Sequence, residues 1–144
     1  MRRLAPLHAD SLGHPDTWAF VVVGEKYISD SSSQTCLLGW TAQPVRYDPL
    51  GSAYAGIQRI GSDMAERSAL IAAAMWRLGL NHSISTTICT DSATGGGQAA
   101  GLLGTETPDE SFQLLRALYQ ALEAALPPGA LQICHTRAHA GEVF

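Results

Sequence analysis

The hydrophobic period of the chain changes at Ser62, and that change limits the folds open to it. Before Ser62 the apolar residues come in short β-branched and aromatic runs: TWAFVVV from Thr17, CLLGWTAQPV from Cys36 and SAYAGIQRI from Ser52. After it they recur at helical spacing in SDMAERSALIAAAMWRLGL and PDESFQLLRALYQALEAAL, and each helical stretch is followed by a β-like run, SISTTICT and ALQICHT. Three strands on short links predict an antiparallel meander, because parallel neighbours need a crossover of a dozen residues or more. Strands reached through helices predict parallel pairs. The expected architecture is therefore α/β: a mixed five-stranded sheet, three antiparallel strands then two parallel, with the Trp18–Val23 strand central and helices on its faces. Residues 1–16, MRRLAPLHADSLGHPD, show neither period and read as a poorly structured lead-in to one domain over 17–144.

Local signals punctuate the helices. Ser62 is placed as an N-cap, Asp63 and Glu66 fall in the first turn where they suit the helix dipole, and Gly79 stands at the stop. The second long helix is expected from Pro108 to the PPG at 127–129. ATGGGQAAGLLG reads as a glycine-loosened helix or loop.

Composition excludes several classes. With 46% hydrophobic and 15% charged residues the chain is not a disordered one. No apolar run approaches the roughly 20 residues that span a bilayer, so no membrane partner is expected. The N-terminus has two arginines but no apolar block behind them, unlike a secretory signal. Cys36, Cys89 and Cys134 are odd in number and set in apolar runs, which predicts buried unpaired thiols and an intracellular, reducing location. The net charge of −4, with only nine Lys and Arg, weighs against broad electrostatic binding of nucleic acid.

Candidate chemistry gathers at three places. Asp91 ends the TICT run, and the ligand crevice of an open α/β sheet lies at the carboxyl ends of its parallel strands. Helix capping is its other reading. Glu66 sits near the start of the preceding helix, where it could meet Asp91; two carboxylates sharing a site call for a hard cation, Mg²⁺ or Mn²⁺. His139, in AHAG after the last run, is a candidate proton shuttle beside such a site. Gly95 to Ala100 satisfies the G-x-G-x-x-A dinucleotide fingerprint, but four residues separate it from the strand and no second strand with an acidic end follows. The glycines are not expected to cradle a phosphate.

Taken together, the strand order, AERSALIAAAMWRL, ICTDS and HTRAHAGE resemble the type 1 ribonuclease H domain over residues 18–144, and most closely its divergent versions attached to retrotransposon reverse transcriptases. The resemblance implies metal-binding roles for Glu66 and Asp91. It also implies that His139 assists product release or proton transfer. The implied reaction is hydrolysis of the RNA strand of an RNA–DNA hybrid by two divalent ions held about 4 Å apart.

Two departures from the family pattern stand out. Its first strand ends in an aspartate, whereas VVVGEKY has valine there and offers only Glu25 as a substitute metal ligand. Its fourth carboxylate lies in an N-x-x-A-D helix beyond the histidine loop, and that C-terminal helix is missing before Phe144. The expectation is weak, millimolar-range Mg²⁺ affinity (on the order of 10⁻³ M) and weakened or lost cleavage. The alternative is a non-catalytic module of a retroelement polyprotein, binding nucleic acid or supporting an adjacent polymerase domain.

Overall fold

The computed structural model describes residues 3–10, 17–59, 61–80, 83–106, 108–137 and 140–143; for 3–10, 26, 27, 137 and 140–143 it describes the backbone path alone. Nine elements follow in the order β1 (Arg3–Asp10), β2 (Thr17–Ser29), β3 (Ser32–Pro44), α1 (Ser62–Gly79), β4 (Thr86–Thr90), α2 (Ala93–Ala99), α3 (Glu110–Ala125), β5 (Leu131–Arg137) and β6 (Ala140–Val143). The strands form one sheet in the order β3-β2-β1-β4-β5-β6. β1, β2 and β3 are antiparallel, β4 runs parallel to β1 and β5 parallel to β4. This is the expected mixed α/β fold, three antiparallel strands followed by two parallel ones. A short sixth strand, β6, pairs antiparallel with β5.

The strand identities shift by one from those expected. Arg3–Asp10, within the segment read as lead-in, is the first strand of the sheet and lies beside β4. Pro6 hides it: proline cannot donate to a ladder and is tolerated inside a sheet only at an irregularity. The β1–β2 register slips between Ala5 and His8, the interval that holds Pro6. The Trp18–Val23 run is thus part of the second strand, one place off centre.

SAYAGIQRI, expected as the third strand, forms no strand over its described residues, 52–59. Gly56 there takes a positive φ of 86°, and a Cβ at that position would lie 2.5 Å from the Glu110 Cβ and 2.6 Å from the Ser111 nitrogen. The backbone is pressed against the start of α3 in a conformation that side chains avoid, and Ile57 next to it is buried.

α1 covers its expected range, but its N-cap is Gly61, not Ser62, and Glu66 falls in the second turn. α3 begins at Glu110, two residues after Pro108, because the Asp109 carboxylate caps it by accepting from the Phe112 amide at 2.9 Å. The core lies between the sheet and α1 and α3: Phe20 and Val22 from β2, Ile88 and Ile133 from β4 and β5, and Leu70, Leu115 and Tyr119 from the helices. The buried Tyr119 hydroxyl donates to the Leu70 carbonyl at 2.9 Å and fastens α3 to α1; burial pushes its pKa upward.

None of the three cysteines is in a disulfide, but only Cys89 is buried. Cys134 is half-buried. Cys36 is exposed because β3 is an edge strand with outward-facing side chains along most of its length. Among the described residues no helix is long and apolar enough to cross a membrane.

Candidate functional site

Two strands end together. β1 and β4 pair Leu7 with Ile88 and His8 with Cys89. Continued by two residues, that register sets Asp10, the last residue of β1, level with Asp91, the residue after β4. Neighbouring strands lie about 4.8 Å apart, so the backbones of two aspartates stand side by side at the carboxyl end of the central parallel pair. Sequence reasoning missed Asp10. A usable signal existed: His8-Ala9-Asp10-Ser11 and Cys89-Thr90-Asp91-Ser92 both close an apolar stretch with aspartate and serine.

The backbone around Asp91 is fixed from several sides. The His135 Nε2 lies 3.1 Å from the Asp91 carbonyl oxygen. The Ser92 amide donates to the Thr90 Oγ1 at 3.1 Å, and the Ser92 hydroxyl accepts from the Gly95 amide at 2.9 Å. Ser92 therefore caps α2, a role that Asp91 could have filled, and Asp91 is left exposed at the sheet end. The α2 glycines are buried, not loose. A Cβ on Gly95 would meet Leu70 Cδ1 at 3.1 Å, and one on Gly97 would meet Leu103 at 2.6 Å. They let α2 pack closely on its neighbours.

Glu66 is half-buried on α1, and its pKa is raised. Burial is the main cause, the charges of Asp91 and Asp63 add to it, and a hydrogen bond with Ser92 opposes them. The structure thus brings Glu66 and Asp91 into one electrostatic field. Asp63 is compensated by an ion pair with Arg59. A half-buried carboxyl facing another acid is an environment that a hard divalent cation relieves. Among the described residues no group of three metal-ligating side chains comes together; the third acid here, Asp10, is placed by its backbone position.

Glu25 does not join them. It pairs with Arg3 at the far end of β1, whereas Asp10 pairs with Ala19. Six residues of extended strand, about 20 Å, separate Glu25 from the level of the site. Glu25, expected as a substitute ligand when Trp18–Val23 was read as the first strand, thus stands at the opposite end of β1 from Asp10. His139 lies outside the described residues.

Beneath the site, the buried Arg67 ties three helices together. Its Nη1 donates to Asp109 Oδ1 at 3.2 Å and Ser111 Oγ at 3.1 Å, and its Nη2 donates to Gln98 Oε1 at 3.1 Å. Burial works to raise the Asp109 pKa, but the bonds from Ser111 and Phe112 and the Arg67 charge outweigh it and hold the carboxyl below its ordinary value. Beside this network a cavity of about 220 Å³ is lined by Arg59, Asp63, Ser92, Thr94 and Thr105 among others.

No family model matches the chain, and no curated protein matches it. Solved structures do. Ribonuclease H1 from the halophilic archaeon Halobacterium salinarum is 16% identical with a TM-score of 0.60, over 94% of this chain and 86% of that one. The N-terminal ribonuclease H domain of a Mycobacterium tuberculosis protein is 18% identical with a TM-score of 0.55, over 96% and 84%. A ribonuclease H1 isolated from compost by a metagenomic approach is 18% identical with a TM-score of 0.50, over 96% and 86%. At such identities the likeness speaks for architecture, and the strand order and directions agree with it: this chain has a ribonuclease H-like fold.

Proposed function

We propose that this chain is a ribonuclease H-type domain that hydrolyses the RNA strand of RNA–DNA hybrids, with divalent metal held by Asp10, Glu66 and Asp91. The observation that carries this reading is the convergence of acids at one end of the sheet: Asp10 and Asp91 level on adjacent strands, and Glu66 with its pKa raised by burial and by Asp91. Asp10 supplies the first-strand acid whose absence had suggested lost activity.

Bound Mg²⁺ or Mn²⁺ would supply Lewis acidity and a nucleophilic water at neutral pH. The chain's own groups do the rest. Ser92 orients the Glu66 carboxyl through its hydroxyl. His135 and Thr90 fix the backbone that carries Asp91. Arg59, Thr94 and Thr105, lining the adjacent cavity, offer a cation and hydroxyls to a backbone phosphate, which suits recognition of a hybrid by shape and sugar hydroxyls more than by sequence. His139 serves as the proton carrier near the leaving group. The AERSALIAAAMWRL and HTRAHAGE resemblance supports a retroelement setting with a polymerase domain as neighbour.

The test is cleavage of an end-labelled hybrid with Mg²⁺ or Mn²⁺. Wild type is expected to cut the RNA strand, and Asp10→Asn, Glu66→Gln and Asp91→Asn each to lose at least about 100-fold, as loss of a metal ligand or its support does. Glu25→Gln should cut like wild type. Hybrid binding without cleavage would make the chain the non-catalytic module instead. Cleavage indifferent to Asp10→Asn and Asp91→Asn would remove the site.

A further inference from the structure

β3 is the edge of the sheet, and among the described residues no strand lies beyond it. Its thirteen residues, SSQTCLLGWTAQP, carry no Asp, Glu, Lys or Arg. Natural edge strands are usually protected by charge, proline, bulges or cover. Here the protection amounts to Pro44 at the last position and a bulge at Leu38, where the register steps from Val22–Gly39 to Val23–Leu37.

That bulge has a consequence for the surface. Val21 pairs with Trp40 and Val23 with Leu37, so Trp40 and Leu37 share one face although they are three positions apart. It is the face opposite Phe20 and Val22, which point into the core. Trp40 is 70% exposed and Leu37 65% exposed, and Ile28 at the end of β2 is 66% exposed. An uncharged ladder edge thus runs alongside an uncovered aromatic and aliphatic patch, a combination that marks an interaction surface.

We propose that this edge is a homodimer interface, in which β3 of one copy pairs antiparallel with β3 of a second copy about a two-fold axis. Setting Leu37 opposite Trp40 of the second copy places the axis between Leu38 and Gly39 and makes two symmetric Leu–Trp cross-strand pairs, the kind of contact that stabilises sheets. Charge favours this occupant. Each chain carries −4, yet no like-charged pair arises along an edge without ionisable acids or bases. A polyanion, by contrast, finds no cation on β3. The area fits a weak, transient dimer: a strand of thirteen residues spans about 44 Å and a sheet is about 10 Å deep, roughly 440 Å² per partner in projection against the ~800 Å² of a standard interface. The site at the carboxyl end of β1 and β4 is not involved, so the dimer and the nuclease reading stand or fall separately.

Sedimentation velocity over about 1–200 μM, paired with electron–electron distances between nitroxide labels, tests the proposal. Wild type should pass from monomer to dimer with a dissociation constant in the micromolar range and stop there, because a two-fold edge is closed. Trp40→Lys and Leu37→Lys lie on exposed positions and should keep the fold, checked by circular dichroism, while weakening dimerisation at least ten-fold. Labels on the exposed Cys36 (with Cys134→Ala) should lie about 20–25 Å apart across the axis and labels on Ser32→Cys about 45 Å apart, by the strand rise. A monomer at every concentration, growth beyond a dimer, a dimer insensitive to both lysine substitutions, or distances that do not lengthen from Cys36 to Ser32 would each overturn it. The label distances decide the matter even if a lysine variant fails to fold.

Discussion

Ser92 serves two partners: its hydroxyl accepts from the Gly95 amide at 2.9 Å, and its side chain works to lower the pKa of Glu66 against burial. A helix cap and a candidate metal ligand therefore depend on one side chain. Ser92→Ala should lower the melting temperature by a few degrees through loss of the cap, worth about 1 kcal/mol. It should also weaken Mn²⁺ binding, read by calorimetry. Ser92→Asn, which can still cap, should restore the melting temperature more fully than the metal affinity.

The raised pKa of Glu66 gives a pH dependence with a definite sign. The native state holds this proton more tightly than the unfolded chain, so the contribution is favourable at low pH and is lost as pH rises from the ordinary carboxylate value through the raised one. Without metal, Glu66→Gln should melt at or slightly above the wild-type temperature at pH 7–8, by about 1–3 °C, and the difference should vanish near pH 3. Added Mg²⁺ should stabilise wild type and leave Glu66→Gln nearly unchanged. A variant that melts lower at every pH would contradict this account of Glu66.

Asp109 behaves in the opposite sense. Its depressed pKa adds stability above the ordinary carboxylate range, and that stability is lost as pH falls through the lowered value. The side chains of the Arg67–Asp109 pair are 6% and 11% exposed, so removing one partner strands the other. Asp109→Ala, which also loses the α3 cap, should cost about 3 kcal/mol in urea unfolding. Combined with Arg67→Met, the loss should be clearly less than additive.

Gly56→Ala should destabilise by about 2 kcal/mol or more, since it adds a Cβ against α3 at a positive φ. Gly39→Ala, where a Cβ would meet nothing within 4 Å, is the control and should be near neutral by thermal melting.

His139→Ala should reduce the rate of hybrid cleavage roughly 100-fold or more, the usual worth of a proton-transfer group, with Mn²⁺ affinity unchanged. Equal loss of metal affinity would instead make His139 a ligand.

The sequence made the helices legible because their 3.6-residue period is repeated over four or more turns, and the bounds 62–79 for α1 could be read directly from it. Strands gave shorter signals. β4 and β5 were clear because β-branched residues lie between helices. β1 was hidden by a single proline in an eight-residue stretch, and SAYAGIQRI imitated a strand although a positive-φ glycine turns it aside. One misplaced strand then misplaced an acid: with Trp18–Val23 taken as first, Glu25 looked like the substitute and Asp10 went unseen. Glu66 and Asp91 could be named as candidates because α1, which carries the one, and β4, which leads into the other, were legible in the sequence.

The join between β1 and β4 has a kinetic meaning. Leu7 and Ile88 are about eighty residues apart in sequence, whereas β2 and β3 meet across a two-residue turn. Closing the longer loop costs about 4 kcal/mol of chain entropy before its contacts repay it, and such distant pairings come late in folding. The hairpin of β2 and β3 can form early, and α1 can grow beside it, while the seam that sets Asp10 level with Asp91 must wait for both halves of the chain. The cluster of acids is then assembled in the last cooperative step and is the first feature surrendered when the seam opens.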